Sequence, residues 1–252
     1  MSLRAILLAA GFATRLYPLT RDRPKPLLEV GGEPLLTRLL RQLEATGDIS
    51  DVTVVTNGRF EPDFGRWREE LDTALPVRLV SDGVTDDTAN LGAIADLALA
   101  LREMGAAATP ADGYVVAAGD NLLDEPLERF TGHYLTHRRP LLLVRDLPHP
   151  IPPATYNEVE LDGLSVTAMR EKPAVPSTDT GSIGVYLLPA DLPALVSSYL
   201  AEGHTADAPG HLMAWLVRRG DVQALPLQGR WFDIGNAEQL AAARAVFGGP
   251  LA

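Results

Sequence analysis

The sequence contains no cysteine. That excludes a disulfide framework, a zinc–thiolate site, an iron–sulfur cluster and a thiol nucleophile. Positive charge is scarce: 22 Lys and Arg stand against 33 Asp and Glu, giving a net charge of −11. Such a balance disfavours a general nucleic-acid or anionic-membrane partner. No apolar run approaches the ~18 residues that a membrane span requires. Residues 1–13 imitate a signal peptide, with Arg4 preceding AILLAAGFA, but Arg15 breaks the run and no convincing cleavage context follows. The segment is read as a first buried strand, and a cytoplasmic location is expected. Low-complexity linkers and internal repeats, hexapeptide repeats included, are missing too.

Lysine is rarest among the charged residues. Of the 22 basic side chains only Lys25 and Lys172 are lysine, and proline follows each. A compact ammonium does what the planar arginine fork cannot, so these two are candidates for positions where arginine fails, chance in a short list being the plain alternative.

The remainder is ordinary for a folded enzyme-sized chain. With 252 residues, 46% of them hydrophobic, it suits one large domain or two small ones. Leu3–Ala9 is apolar but for Arg4, as expected of a strand covered on both faces. Pro34 opens a helical stretch that Gly47 ends. Strands at Val52–Val55, Val77–Val80, Tyr114–Ala118 and Leu141–Val144 alternate with helices near 64–71, 91–104 and 127–138. Asn90 is placed to cap the 91–104 helix. This order predicts an α/β fold with a mostly parallel sheet between helices. The second half predicts shorter strands (157–161, 165–170, 183–187) and helices near 190–200, 210–219 and 237–246. Antiparallel strands added at a mixed edge of one continuous domain account for it best.

The chemistry gathers where the first strand ends, in LAAGFATRLYPLTRDRPKPLLEV (8–30). Open α/β sheets bind ligands beyond the carboxyl ends of their strands. Gly11 lets the backbone approach a ligand closely, and consecutive N–H groups there can cradle an anion. No G-x-G-x-x-G or Walker pattern is present. Arg15, Arg21, Arg23 and Lys25 surround a single acid, Asp22, so the loop calls for a phosphorylated ligand; a solvated basic loop is the plain alternative. Asp120, in GDN, and Asp233, in WFDIGNAEQL, stand where carboxylates plus substrate phosphates could hold Mg²⁺. Read singly, either is equally a cap or turn residue. The histidines (133, 137, 149, 204 and 211) show no metal spacing and are read as surface residues.

LAAGFATRLYPLT…RPKPLLEV, VVAAGDN, REKP and WFDIGNAEQL together resemble the sugar-1-phosphate nucleotidylyltransferases, in family order across nearly the whole chain. The resemblance implies a Rossmann-like, mostly parallel sheet of the nucleotide-diphospho-sugar transferase type in one domain, 1–252. A nucleotide-binding half would span about 1–145 and a sugar-phosphate half about 146–252. It further implies that Leu8, Ala9, Ala10 and Gly11 line the nucleotide, with Asn90 and Gly92 near the base. Arg15 would hold the triphosphate and Lys25 would bridge the reacting phosphates. Lys172 would take the sugar phosphate, Glu171 the sugar hydroxyls, and Asp120 and Asp233 the Mg²⁺.

The implied reaction converts an NTP and a sugar 1-phosphate to an NDP-sugar and pyrophosphate, with glucose 1-phosphate and dTTP or UTP expected. A cytidylyl- or guanylyltransferase acting on mannose 1-phosphate or another phosphorylated acceptor, or a non-catalytic nucleotide-sugar sensor, are the alternatives. Two departures bear on specificity. The base loop reads Ala89-Asn90-Leu91-Gly92, where thymidylyl and uridylyl members often have G-T-A-G or G-L-A-Q. The Tyr-Gly-Val-Val-Glu turn appears as Tyr156-Asn157-Glu158-Val159-Glu160. The oligomeric state stays open, a homo-oligomer included.

Overall fold

The computed structural model describes residues 2–105, 111–147 and 151–247. In chain order it runs β1 (Leu3–Leu8), β2 (Glu29–Val30), β3 (Glu33–Pro34), α1 (Leu35–Ala45), β4 (Ile49–Thr56), α2 (Glu61–Glu70), β5 (Val77–Ser81) and α3 (Ala93–Met104). There follow β6 (Gly113–Ala118), β7 (Leu122–Leu123), α4 (Glu128–His137), β8 (Leu141–Asp146), β9 (Glu158–Asp162), β10 (Ser165–Arg170) and β11 (Thr180–Pro189). The chain closes with α5 (Leu192–Ala201), α6 (Pro209–Arg219), β12 (Gln223–Pro226), β13 (Trp231–Phe232) and α7 (Ala237–Phe247).

Nine strands form one sheet in the order β5-β4-β1-β6-β11-β8-β12-β10-β9. β5, β4, β1 and β6 are mutually parallel. The period-2 alternation of a strand explains why β1 has no polar face. Leu3, Ala5 and Leu7 face one core, with Leu36, Leu39 and Leu40 of α1, Phe64 of α2 and Phe130 of α4. Ile6 faces the other, with Ile94 and Leu97 of α3, Val196 of α5 and Trp215 of α6. The mostly parallel, helix-flanked architecture expected from the sequence is therefore present. Each fully buried Leu or Ile contributes roughly 1.5–3 kcal/mol relative to exposure. The one charge buried along β1, Arg4, is held by Asp51 through hydrogen bonds of 2.8–3.0 Å.

The expected antiparallel strands do not all lie at an edge. β11 runs antiparallel between β6 and β8, in the middle of the sheet. Gly184, at φ +73°, and a register shift between Ser182 and Tyr186 divide it. Only its second half therefore carries a recognisable apolar run. β12, too short to stand out, pairs parallel to β8 and antiparallel to β10.

Residues β1 through β6 position the site. β4 lies on one side of β1 and β6 on the other, so chain connections diverge at the carboxyl end of β1. Such a switch point leaves a crevice between outgoing loops. Its backbone is tied down on both sides: Ala9 N–H donates to the Val55 carbonyl and Gly119 N–H to the Leu8 carbonyl, each at 2.8 Å.

Candidate active site

A cavity of about 590 Å³ opens over this crevice. Leu8, Ala9, Ala10 and Gly11 form its floor, and Arg15, Lys25, Asn90, Asp120, Lys172 and Asp233 stand around it. Ten of the twelve site residues drawn from the sequence thus line one space, although they come from segments more than 200 residues apart.

The 11–28 loop is shaped by local turns. Ala13 takes a left-handed conformation (φ 50°), and its carbonyl accepts both Leu16 N–H and the Thr20 hydroxyl at 2.9 and 2.8 Å. Arg15 is left exposed at the cavity, while Leu16 packs into a small core with Leu28, Leu35 and Leu240. Lys25 opens a second single turn. Its stem is largely buried, and its ammonium sits 2.7 Å from an Asp120 carboxylate oxygen, on the loop after β6. Both lysines of the chain reach the same cavity. Lys172 arrives just past the end of β10, where φ of +41° turns the backbone out of the strand ahead of Pro173.

Two sequence-derived residues stand outside the lining. Gly92 is the first residue before α3, at φ +92°, packed against the backbone of Ala206 and Asp207, where a Cβ would overlap the Ala206 carbonyl. Its position is required by backbone packing. The sequence places Asn90 as the cap of α3, and the structure corrects this. The Asp207 and Ala206 carbonyls receive the N–H groups of Ala93 and Ile94, and the Asn90 side chain accepts only from Gly92 N–H, at 3.1 Å. Glu171 is buried next to Lys172, outside the lining. Its side chain is 6% exposed, Oε1 is 3.7 Å from Lys172 Nζ, and Oε2 is buried without a hydrogen-bond partner. Burial pushes its carboxyl above the usual range, with Lys172 opposing the shift.

Other lining residues, Asp96 apart, carry no sequence signal strong enough to name them. Tyr156 lines the cavity too, and burial first, then the charge of Asp233, raises its phenol. Asn121 accepts from Trp231 Nε1 at 2.9 Å and donates to the Gly184 carbonyl at 3.3 Å, tying β7, β11 and β13 together behind the cavity. Asp96 hides within an apolar helix face; the interruption of the apolar pattern in AIADLALAL is the signal that finds it. His133 bonds to Gln223 and the described histidines are exposed or half-buried; His149 lies outside the described residues.

A model of the nucleotidyl transferase family matches residues 4–247. The chain belongs to that family. It is 27% identical over 256 residues to a glucose-1-phosphate thymidylyltransferase of Streptomyces antibioticus, covering 97% of this chain and 66% of the relative. A mannose-1-phosphate guanylyltransferase catalytic subunit beta of Drosophila melanogaster is 25% identical over 251 residues, covering 97% of this chain and 62% of the relative. The chain thus spans slightly less than two thirds of the length of these curated relatives. In fold it matches the structure of a UDP-glucose pyrophosphorylase complexed with UDP-glucose, at a TM-score of 0.80 and 17% identity, over 98% of both chains. These relatives are nucleotidyltransferases of sugar 1-phosphates, the branch of the family that the motifs indicate. No helix among the described residues is long and apolar enough to cross a membrane.

Proposed function

We propose that the cavity binds a nucleoside triphosphate and a sugar 1-phosphate and joins them into an NDP-sugar, releasing pyrophosphate. The observation that carries this reading is that the only two lysines of an acidic chain meet in one cavity with Arg15, Asp120 and Asp233. A sugar phosphate is already ionised near neutral pH, so its oxygen attacks the α-phosphorus without a general base. The bond from that phosphorus to the β-phosphate bridging oxygen breaks, and pyrophosphate leaves with the electron pair. The obstacle is one anion approaching another. Cationic side chains at fixed positions lower it by orientation and charge neutralisation.

In this reading the 8–11 backbone holds the nucleoside and Arg15 the departing β- and γ-phosphates. Lys25, fixed by Asp120, stands at the reacting phosphate. Lys172 grips the sugar phosphate and Glu171 shapes the floor under the sugar. Among the described residues no three His, Asp or Glu side chains gather as a metal site. The two cavity carboxylates, Asp120 and Asp233, still fit Mg²⁺, which commonly takes one or two carboxylates and completes its shell with phosphate oxygens and water. When bound there it would supply positive charge against the phosphate oxygens.

A matrix of NTPs against glucose, galactose and mannose 1-phosphates, read by pyrophosphate release, tests the proposal. Release that requires both substrates supports it. A chain that binds nucleotides yet releases no pyrophosphate with any pair is a sensor instead.

A further inference from the structure

Asp96 has no part in the reaction as proposed. It lies in α3 one turn after Ala93, among the buried apolar residues Ile94, Leu97 and Ala100. A carboxyl in such a row is costly unless something satisfies it. Asp96 is 4% exposed, its Oδ1 is buried with no hydrogen-bond partner, and the side chain lines the cavity beside Asn90, Ala93 and Asp87. The neighbouring charge that acts on it, Asp82, is also an acid. α3 packs against Ile6 and Ala10 of the first strand and its loop, and Leu8–Gly11 line the same cavity as Asp96.

We propose that Asp96 reads the nucleotide base and selects guanine. The inference rests on the cavity being the nucleotide site. Ionised, as it is above about pH 7, the Asp96 carboxylate only accepts hydrogen bonds. Guanine alone among the common bases offers it two adjacent donors, N1–H and the N2 amino group. Uracil and thymine offer one N3–H between two carbonyl oxygens, which a carboxylate repels. Cytosine and adenine offer an amino group beside a ring nitrogen that is itself an acceptor. The resemblance alone points to thymine or uracil; the buried acid shifts the assignment to guanine.

Inosine triphosphate differs from GTP only by the missing N2 amino group, so it isolates the second hydrogen bond. Calorimetric titration of the whole chain at pH 8, where Asp96 is ionised, with GTP, ITP, UTP, dTTP, CTP and ATP is the test. GTP should bind tightest, and tighter than ITP by about tenfold or more, the worth of one hydrogen bond to a charged acceptor. Asp96→Leu should erase the GTP–ITP gap without weakening UTP or dTTP binding. Asp96→Asn, closer in shape, should narrow it. Equal GTP and ITP affinities in the unaltered protein, UTP or dTTP binding tighter than GTP, no GTP binding, or a gap surviving Asp96→Leu would each overturn the proposal. The unaltered protein decides by itself if the Leu variant does not fold. Base selection without pyrophosphate release from any sugar 1-phosphate would instead count against the transfer reaction. Release without a GTP–ITP difference would count against Asp96 alone.

Discussion

Gly210, in the first turn of α6, is packed directly against the buried carboxyl of Glu171. A Cβ at that position would overlap Glu171 Oε2 and come 3.0 Å from Asn157 Nδ2. The absence of a side chain at 210 is what leaves room for the Glu171 carboxyl in the interior. Gly210→Ala should therefore destabilise the fold by about 1–3 kcal/mol through overpacking. Trimming the opposing group in Gly210→Ala/Glu171→Ala should restore much of that loss. Thermal unfolding of the two variants and of Glu171→Ala measures it, and strictly additive effects would contradict the contact.

The Lys25–Asp120 pair, at 2.7 Å, yields a kinetic prediction. In the proposed reaction Lys25→Ala should lower turnover by ~10²–10³, the usual cost of losing a fixed charge at the reacting centre. Lys25→Arg should not rescue it, because a guanidinium cannot occupy the space of a point charge. Circular dichroism should show both variants folded. A Lys25→Arg protein with unchanged turnover would remove the significance given to lysine at this position.

Asp96 links the site to stability. Burial, then the charge of Asp82, pushes its carboxyl from 3.8 to about 7. The folded chain thus retains a proton that the unfolded chain loses above about pH 4. Stability from this group is full below that pH and is lost as pH rises through about 7. Asp96→Asn removes the ionisation, so the variant should melt higher than the parent at pH 8, by ~2–4 °C per kcal/mol recovered. The difference should shrink towards pH 5. Melting curves at the two pH values without nucleotide check it; a constant difference would contradict the burial cost.

For the divalent ion, Asp120→Asn and Asp233→Asn should each raise the Mg²⁺ concentration needed for half-maximal turnover, because each removes one oxygen ligand from a shell otherwise filled by phosphate and water. Asp120→Asn should also lower turnover at saturating Mg²⁺, since it frees Lys25. An unchanged Mg²⁺ dependence in either variant would contradict that residue's assignment.

Much of this arrangement is legible in the sequence because its signals are local. The apolar run 3–8 can only be a doubly covered strand, and the loop after it displays its glycine, prolines and cations within 20 residues. The scarcity of lysine marks Lys25 and Lys172 before any coordinates do. The central place of β11 is not legible, since Gly184 splits its pattern and the pairing with β6 and β8 is a long-range choice. Nor are the depth of Glu171 and the packing duty of Gly92, which depend on α6 and on the 206–207 backbone arriving from elsewhere in the chain. Asp96 lies between the two cases: its misfit with the helix face is visible, but its aim into the cavity is a tertiary property.

Joining a nucleotide to a sugar phosphate is the reaction proposed for the residues gathered around the cavity. Phosphorus NMR of the protein with Mg²⁺, GTP and mannose 1-phosphate, repeated with the other NTPs and sugar 1-phosphates, follows every phosphate in one spectrum. A diphosphate-linked NDP-sugar and pyrophosphate should appear in equal amounts, only when both substrates are present. Pyrophosphate or inorganic phosphate appearing without a sugar phosphate, or no new diphosphate with any pair, would contradict it.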